Sequence, residues 1–270
     1  MKRPFLHLLT HQLATVVLLC ACHITLATEH APISTSQLQQ VLANPDRLGS
    51  DRSRDADRQP ARVLSFSDLA ESETVLDLYA GGGWYSEIIA RAVGPNGVVY
   101  AHNDALTWRF GQAELIRRTA DDRLPNVVRL DQVPLASIDL PDQSVDLAFM
   151  AINYHDLFFT HRVRNGKRQV MRDGVVDHRA ALANIRRVLK PNGRLIISDH
   201  FAHPGSGYAA ANDLHRIDPA IVRHQLDQAG FELEEEGYFL RNPNDDLNLL
   251  VFDPAIRGKT SRFIYKFVKK

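Results

Sequence analysis

Cysteine is almost missing: the 270 residues contain two, Cys20 and Cys22, one residue apart near the start. So placed, they cannot staple a fold or build a thiolate metal centre, and stability must come from an apolar core. An excess of one charge is missing too, because 32 Lys and Arg balance 32 Asp and Glu. Phosphate backbones and anionic lipids attract proteins that neutralise several charges at once, so no nucleic-acid partner is expected. The apolar stretch Leu13 to Cys22 is too short to cross a bilayer. Internal repeats and low-complexity linkers are absent, and 44% hydrophobic with 24% charged residues excludes disorder, collagen and coiled coil as the main state. A chain of this length buries one substantial core or two small ones.

Lys2 and Arg3, the apolar stretch, and the small residues around Thr25-Leu26-Ala27 follow the three regions of a secretory signal peptide. Residues 1–27 are therefore expected to be a leader cleaved after Ala27, making the protein periplasmic or secreted. Leu19-Cys20-Ala21-Cys22 is similar to a bacterial lipoprotein box, and a lipid anchor at Cys22 is the alternative. Cleavage removes both cysteines together with Lys2 and Arg3, leaving a net charge of −2 and no thiol for disulfide, nucleophile or zinc chemistry.

Residues 28–62 read as a short helix, capped at Ser36 and carrying Leu38, Val41 and Leu42, followed by a charged segment from Asp51 to Arg58 that is either surface or clasp. Residues 63–270 change character. Val75 to Tyr79, Val98 to Ala101, Val127 to Leu130, Val145 to Ile152 and Leu195 to Ser198 are short apolar runs of the kind buried on both faces of a sheet. Trp84 to Val93, Leu106 to Arg118 and Ala180 to Leu189 lie between them with helical spacing. This alternation predicts an α/β fold with a mostly parallel sheet and helices on both faces. Gly94-Pro95-Asn96-Gly97 and Lys190-Pro191-Asn192-Gly193 turn helices into strands. Phe263, Tyr265 and Phe267 alternate with Arg262 and Lys266, predicting a half-exposed antiparallel strand near the sheet edge; Phe231 to Glu234 reads the same way.

Asp77-Leu78-Tyr79-Ala80-Gly81-Gly82-Gly83-Trp84-Tyr85 puts three glycines where the first strand turns into its helix, so backbone can approach a ligand and helix amides can meet it. A dinucleotide fingerprint needs another glycine three residues after Gly83, and Ser86 stands there, which disfavours a nicotinamide cofactor.

These residues resemble class I S-adenosylmethionine-dependent methyltransferases. Asp77 to Gly83 is similar to their first motif, with Tyr79 where the family usually has its first glycine. Leu140-Pro141-Asp142 to Asp146-Leu147 resembles the run into their fourth strand, and Leu189 to Leu195 the turn before their fifth. Asn153-Tyr154-His155-Asp156, Asp199-His200, Leu214-His215-Arg216-Ile217, Phe239 to Pro243 and the Lys266 to Lys269 ending resemble a group of exported bacterial methyltransferases. The resemblance implies a Rossmann-like seven-stranded sheet with an antiparallel last strand and S-adenosyl-L-methionine over the carboxyl ends of the first strands. It implies cofactor contacts at Asp77, Tyr79, Gly81, Gly82, Gly83, Tyr85 and Asn153. Asn103, with Asp104 beside it, takes the place of the acid that holds the ribose, and Asp131 that of the acid near adenine.

Methyl transfer needs an aligned acceptor and, where the acceptor carries a proton, a base. The fourth strand delivers Asn153, Tyr154, His155 and Asp156 to the cleft, and the fifth delivers Asp199, His200 and His203. His155 or His200 is expected as base or positioning group, with Asp156 nearby and Tyr154 lining the pocket. His155, Asp156, His200, His203 and His215 match no compact ligand spacing, so no metal is expected. Arg162 to Arg168, with an Asn165-Gly166 turn, reads as a solvated basic hairpin, or with Arg172 as a lid over an acidic substrate. The expected function is methyl transfer to a small molecule, the alternative a non-catalytic nucleoside or metabolite binder.

Overall fold

The computed structural model describes residues 31–270; the leader expected over residues 1–27 and the alternative anchor at Cys22 lie outside the described residues. In chain order the elements are α1 (Thr35–Leu42), α2 (Gly49–Arg52), α3 (Asp55–Arg58), α4 (Pro60–Phe66), β1 (Thr74–Asp77), α5 (Trp84–Val93), β2 (Val98–Asn103), α6 (Ala105–Thr119), β3 (Val127–Asp131) and β4 (Val145–Ala151). There follow β5 (His161–Arg164), β6 (Lys167–Val170), α7 (His178–Val188), β7 (Leu189–His200), α8 (Ala209–Asp213), α9 (Pro219–Gln228), β8 (Phe231–Gly237) and β9 (Arg262–Lys269).

One seven-stranded sheet runs β3-β2-β1-β4-β7-β9-β8. The first five strands are parallel, and β9 is antiparallel to both its neighbours. The apolar runs are continuous rather than alternating because both faces are covered. Val75 of β1 belongs to the core on one face with Leu38, Leu64 and Ile88, while the adjacent Leu76 belongs to the core on the other with Leu182, Leu226 and Phe231.

Three details depart from expectation. Ser34, not Ser36, caps α1: its Oγ accepts from Gln37 N at 3.3 Å and Gln37 Oε1 accepts from Ser34 N at 2.9 Å, a reciprocal capping box. Val145 pairs with Leu189 and Leu147 with Arg194, so Lys190 to Gly193 bulges out of a strand that has already begun. Finally, β9 lies next to the edge and antiparallel as expected, but it is not half-exposed. It is buried between β7 and β8, and Lys266 is tolerated there because Asp68 and Glu235 accept from its Nζ at 2.6 and 2.8 Å. The edge is β8, whose Glu232, Glu234 and Glu235 face solvent.

Candidate active site

The chain leaves β1 through three left-handed residues in five: Tyr79 at φ 54°, Gly81 at 56° and Gly83 at 77°. Only Tyr79 carries a Cβ, and that conformation costs it about 1–2 kcal/mol. Its surroundings hold it there. The ring stacks on His102 at 5.6 Å, and Ala80 N donates to His102 O at 2.8 Å. His102 is neutral, burial pushing its pKa down to about 4, and its Nε2–H donates to Val133 O at 2.7 Å.

The bend has a packed side and an open side. At Gly111 of α6 a Cβ would lie 2.3 Å from the Gly81 carbonyl carbon, so helix and bend touch backbone to backbone. At Gly81 the space a Cβ would take is empty within 4 Å. Asn103 fixes the bend from β2: its Oδ1 accepts from Gly81 N at 2.9 Å and its Nδ2 donates to Gly81 O at 3.1 Å. With both side-chain groups turned onto Gly81 and no surface exposed, Asn103 shapes the bend.

The acid that faces open space is Asp104. Its Oδ1 caps α6 by accepting from Leu106 N at 3.0 Å and Thr107 N at 2.9 Å, and its Oδ2 pairs with Arg172. Arg172 also donates to Asp156 O at 2.6 Å, tying the ends of β2 and β4 together. A cavity of about 580 Å³ opens here, lined by Tyr79, Asp104, Arg109, Gln132, Pro134 and Arg172 among others. The Tyr79 Oη is buried beside the Asp104 carboxylate without a hydrogen bond of good geometry, the kind of buried polar atom that calls for a partner. Asp131 ends β3, pairs with Arg129 at 3.2 Å, and does not line this cavity.

A second cavity of about 650 Å³ lies at the carboxyl ends of β4 and β7, and Leu106 and Met171 line both. Asn153, His155, Asp156, His200 and His215 form its polar wall. Asp199, fully buried, orients His155: Oδ2 accepts from the His155 backbone N at 2.7 Å and Oδ1 from Nδ1 at 2.9 Å. The other ring nitrogen, Nε2, then meets Nδ1 of His215 at 3.1 Å. Burial opposes charge on His155, but Asp199 and Asp156 outweigh it and raise its pKa to about 9. Burial and the neighbouring His155 push His215 down to about 3. His155 Nε2–H is therefore the donor in this contact and His215 Nδ1 the acceptor. Asn153 steadies the site by donating from Nδ2 to Asp156 Oδ2 at 3.1 Å.

Several expected residues sit elsewhere. Tyr154 lines neither cavity; it is fully buried and its hydroxyl donates to Gln225 Oε1 at 2.7 Å, because the turn after β4 sends it into the core. His200 reaches the cavity, but Nδ1 is taken by Thr260 Oγ1 at 2.7 Å, and burial holds it well below the usual histidine range. Tyr85 packs edge-on against Phe149, and Gly81 to Gly83 line neither cavity. Asp77, at the root of the bend, accepts from Ser86 Oγ at 2.6 Å. The basic hairpin is the solvated ribbon expected, exposed from Val163 to Val170, and its first strand also places Arg162 and Arg164 at the larger cavity. His203 is exposed and apart, whereas atoms of His155, Asp156 and His215 lie within 4.8 Å of one another, a convergence that sequence spacing did not disclose. Asp199 and His215 are the partners that sequence reasoning undervalued, because they reach His155 across 44 and 60 positions.

Residues 76–197 match the family model of a methyltransferase domain. That stretch runs from β1 into β7 and carries both the bend and His155. The ubiquinone/menaquinone biosynthesis C-methyltransferase UbiE of Hahella chejuensis is 29% identical over 143 residues, which are 53% of this chain and 48% of that protein. The chain thus spans about half the length of this curated relative. Among solved structures, a SAM-dependent methyltransferase from Aquifex aeolicus superposes with a TM-score of 0.55 at 21% identity, covering 88% of this chain and 100% of that one. The [4+2]-cyclase SpnF superposes equally well, with a TM-score of 0.55 at 17% identity over 89% of this chain and 97% of its own. The chain has the fold of S-adenosylmethionine-dependent methyltransferases, and SpnF illustrates that this fold does not by itself fix the reaction.

Proposed function

We propose that this protein transfers a methyl group from S-adenosyl-L-methionine to a small-molecule acceptor held in the 650 Å³ cavity. The carrying observation is the placement of two cavities side by side across Leu106 and Met171 at the carboxyl ends of the strands, one beside the Tyr79 hydroxyl and Asp104 and one with a hydrogen-bonded histidine pair. The residues present fit the cofactor: the open side of Gly81 admits close backbone approach, while Tyr79 Oη and Asp104 offer hydrogen-bonding groups in the adjoining cavity. When bound, S-adenosylmethionine supplies a methyl group on a sulfonium that an aligned lone pair displaces.

The chain's own residues supply position. Asp199 holds the His155 ring against the cavity wall, where His155 and His215 present polar groups that position an acceptor. Arg162 and Arg164 at the wall favour an acceptor carrying negative charge. A purely binding role leaves this buried chain of polar groups without a task. The leader-like residues 1–27 support export, and the balanced charge supports an acceptor other than nucleic acid.

Calorimetric titration with S-adenosylmethionine and S-adenosylhomocysteine tests the reading. Both are expected to bind, and Tyr79→Phe to weaken both by about 2- to 12-fold, the worth of one hydrogen bond. Mass spectrometry of small-molecule extracts incubated with protein and cofactor then reads methylated product. Silence toward both ligands while another nucleoside binds overturns it.

A further inference from the structure

We infer that His155, Asp156 and His215 form a binding site for a divalent first-row transition-metal ion, open to the 650 Å³ cavity. Three strands of evidence meet at this point. The first is spacing. Two ligands about 2.0–2.1 Å from an ion in tetrahedral array stand roughly 3.3 Å apart. Here His155 Nε2 is 3.1 Å from His215 Nδ1 and 3.5 Å from Asp156 Oδ1, so small shifts admit an ion between the three atoms.

The second is orientation from behind. A ligating histidine is normally fixed by a carboxylate on its other nitrogen, which leaves the ligating lone pair aimed at the ion. Asp199, wholly buried, does this for His155, and Asn153 restrains Asp156 by donating to the oxygen that faces away from His155. The His215 ring is set by aromatic contacts with Phe159 at 4.4 Å and Phe252 at 4.9 Å. Its backbone stands at φ 53°, a strained conformation that puts this side chain where an ordinary helical or extended residue would not reach.

The third is donor chemistry. Two imidazoles and one carboxylate select zinc, iron or a similar ion over magnesium and calcium, which prefer all-oxygen shells. Three protein ligands leave a position facing the cavity, as sites that work on a bound molecule do. An acceptor oxygen or sulfur coordinated there loses its proton more readily. That use rests on the methyl-transfer reading; the site itself does not.

The test needs no methyl donor. Full-length protein is freed of metal with a chelator and titrated with Co²⁺, followed by the visible absorption of a low-symmetry nitrogen–oxygen site, and Zn²⁺ is then used to displace it. One equivalent per chain is expected. His215→Gln and Asp156→Asn should each weaken binding at least 10-fold, and Asp199→Asn by about 10- to 100-fold with stoichiometry unchanged. His203→Gln, outside the cluster, should bind as the parent does. Far-UV circular dichroism checks folding, and His215, partly exposed, is the variant to rely on should Asp199→Asn misfold. Absence of saturable Co²⁺ and Zn²⁺ binding, or equal binding by folded His215→Gln, overturns the site. Metal binding without S-adenosylmethionine binding would sink the methyl-transfer reading alone, and the reverse result the metal site alone.

Discussion

Asp77 offers a quantitative check on how closed the root of the glycine bend is. It ends β1 with 3% of its surface exposed, and its carboxylate contacts are with Ser86. Burial pushes the carboxyl up to about 7 from an ordinary 3.8, more than the Ser86 hydrogen bonds pull it back. Between those values the folded protein keeps a proton that the unfolded chain has lost. Stability from this group is therefore full below about pH 4, falls as pH rises to about 7, and is flat beyond. At 1.36 kcal/mol per pH unit the fall amounts to about 4 kcal/mol. His102 works in the opposite direction, because it stays neutral down to about 4 when folded but is protonated below 6.5 when unfolded. The two slopes partly cancel in the wild type, so the informative quantity is the difference between Asp77→Asn and wild type. Urea unfolding at pH 4, 5.5 and 7.5 should show the variant gaining about 4 kcal/mol on the wild type across the series. A difference that stays level, or moves the other way, would mean that Asp77 is ionised in the fold and that the reasoning from burial is wrong.

Two further substitutions address the packing that holds the bend. Gly111→Ala should lower stability by up to about 2 kcal/mol in urea unfolding, because overpacking against the Gly81 backbone, typically 1–3 kcal/mol, offsets or outweighs the roughly 1 kcal/mol a helix gains from alanine; a stabilised variant would refute the contact. Arg118, whose side chain is wholly buried, donates to Gly82 O at 2.8 Å and pairs with Asp51 and Glu87, linking α2, α5 and α6 at the bend. Arg118→Leu leaves the buried Asp51 without a main partner and should cost about 3–5 kcal/mol by the same assay, whereas a loss below 1 kcal/mol would show that the network is solvated.

Much of this arrangement was legible in the chain. The alternation of short apolar runs with helical periodicity predicted a parallel sheet, and the Trp84 to Val93 helix has the predicted boundaries, since a glycine at each end terminates the pattern. The sharp turn at Asp77 to Gly83 was legible for a similar reason: glycines and left-handed backbone are local properties. Legibility failed where burial is decided by distant segments. The alternation of β9 suggested a half-exposed strand, but Asp68 and Glu235 arrive to cover Lys266, and β8 packs alongside it at the edge. Asp51 to Arg58 looked like either surface or clasp, and it became a clasp because Arg118 reaches Asp51 from 67 positions away.

The candidate site divides in the same way. Local sequence determined that a glycine bend would follow β1, and that Asn153 to Asp156 and Asp199-His200 would emerge at one end of the sheet, because strand ends and turns are written in neighbouring residues. Only tertiary structure decided which histidines meet and in what company. Asp199 lies on β7, His155 just after β4 and His215 just after α8, and they meet because those elements converge on one end of the sheet. A side chain's protonation and its partners depend on what is packed within a few ångströms, and no local pattern along the chain encodes that.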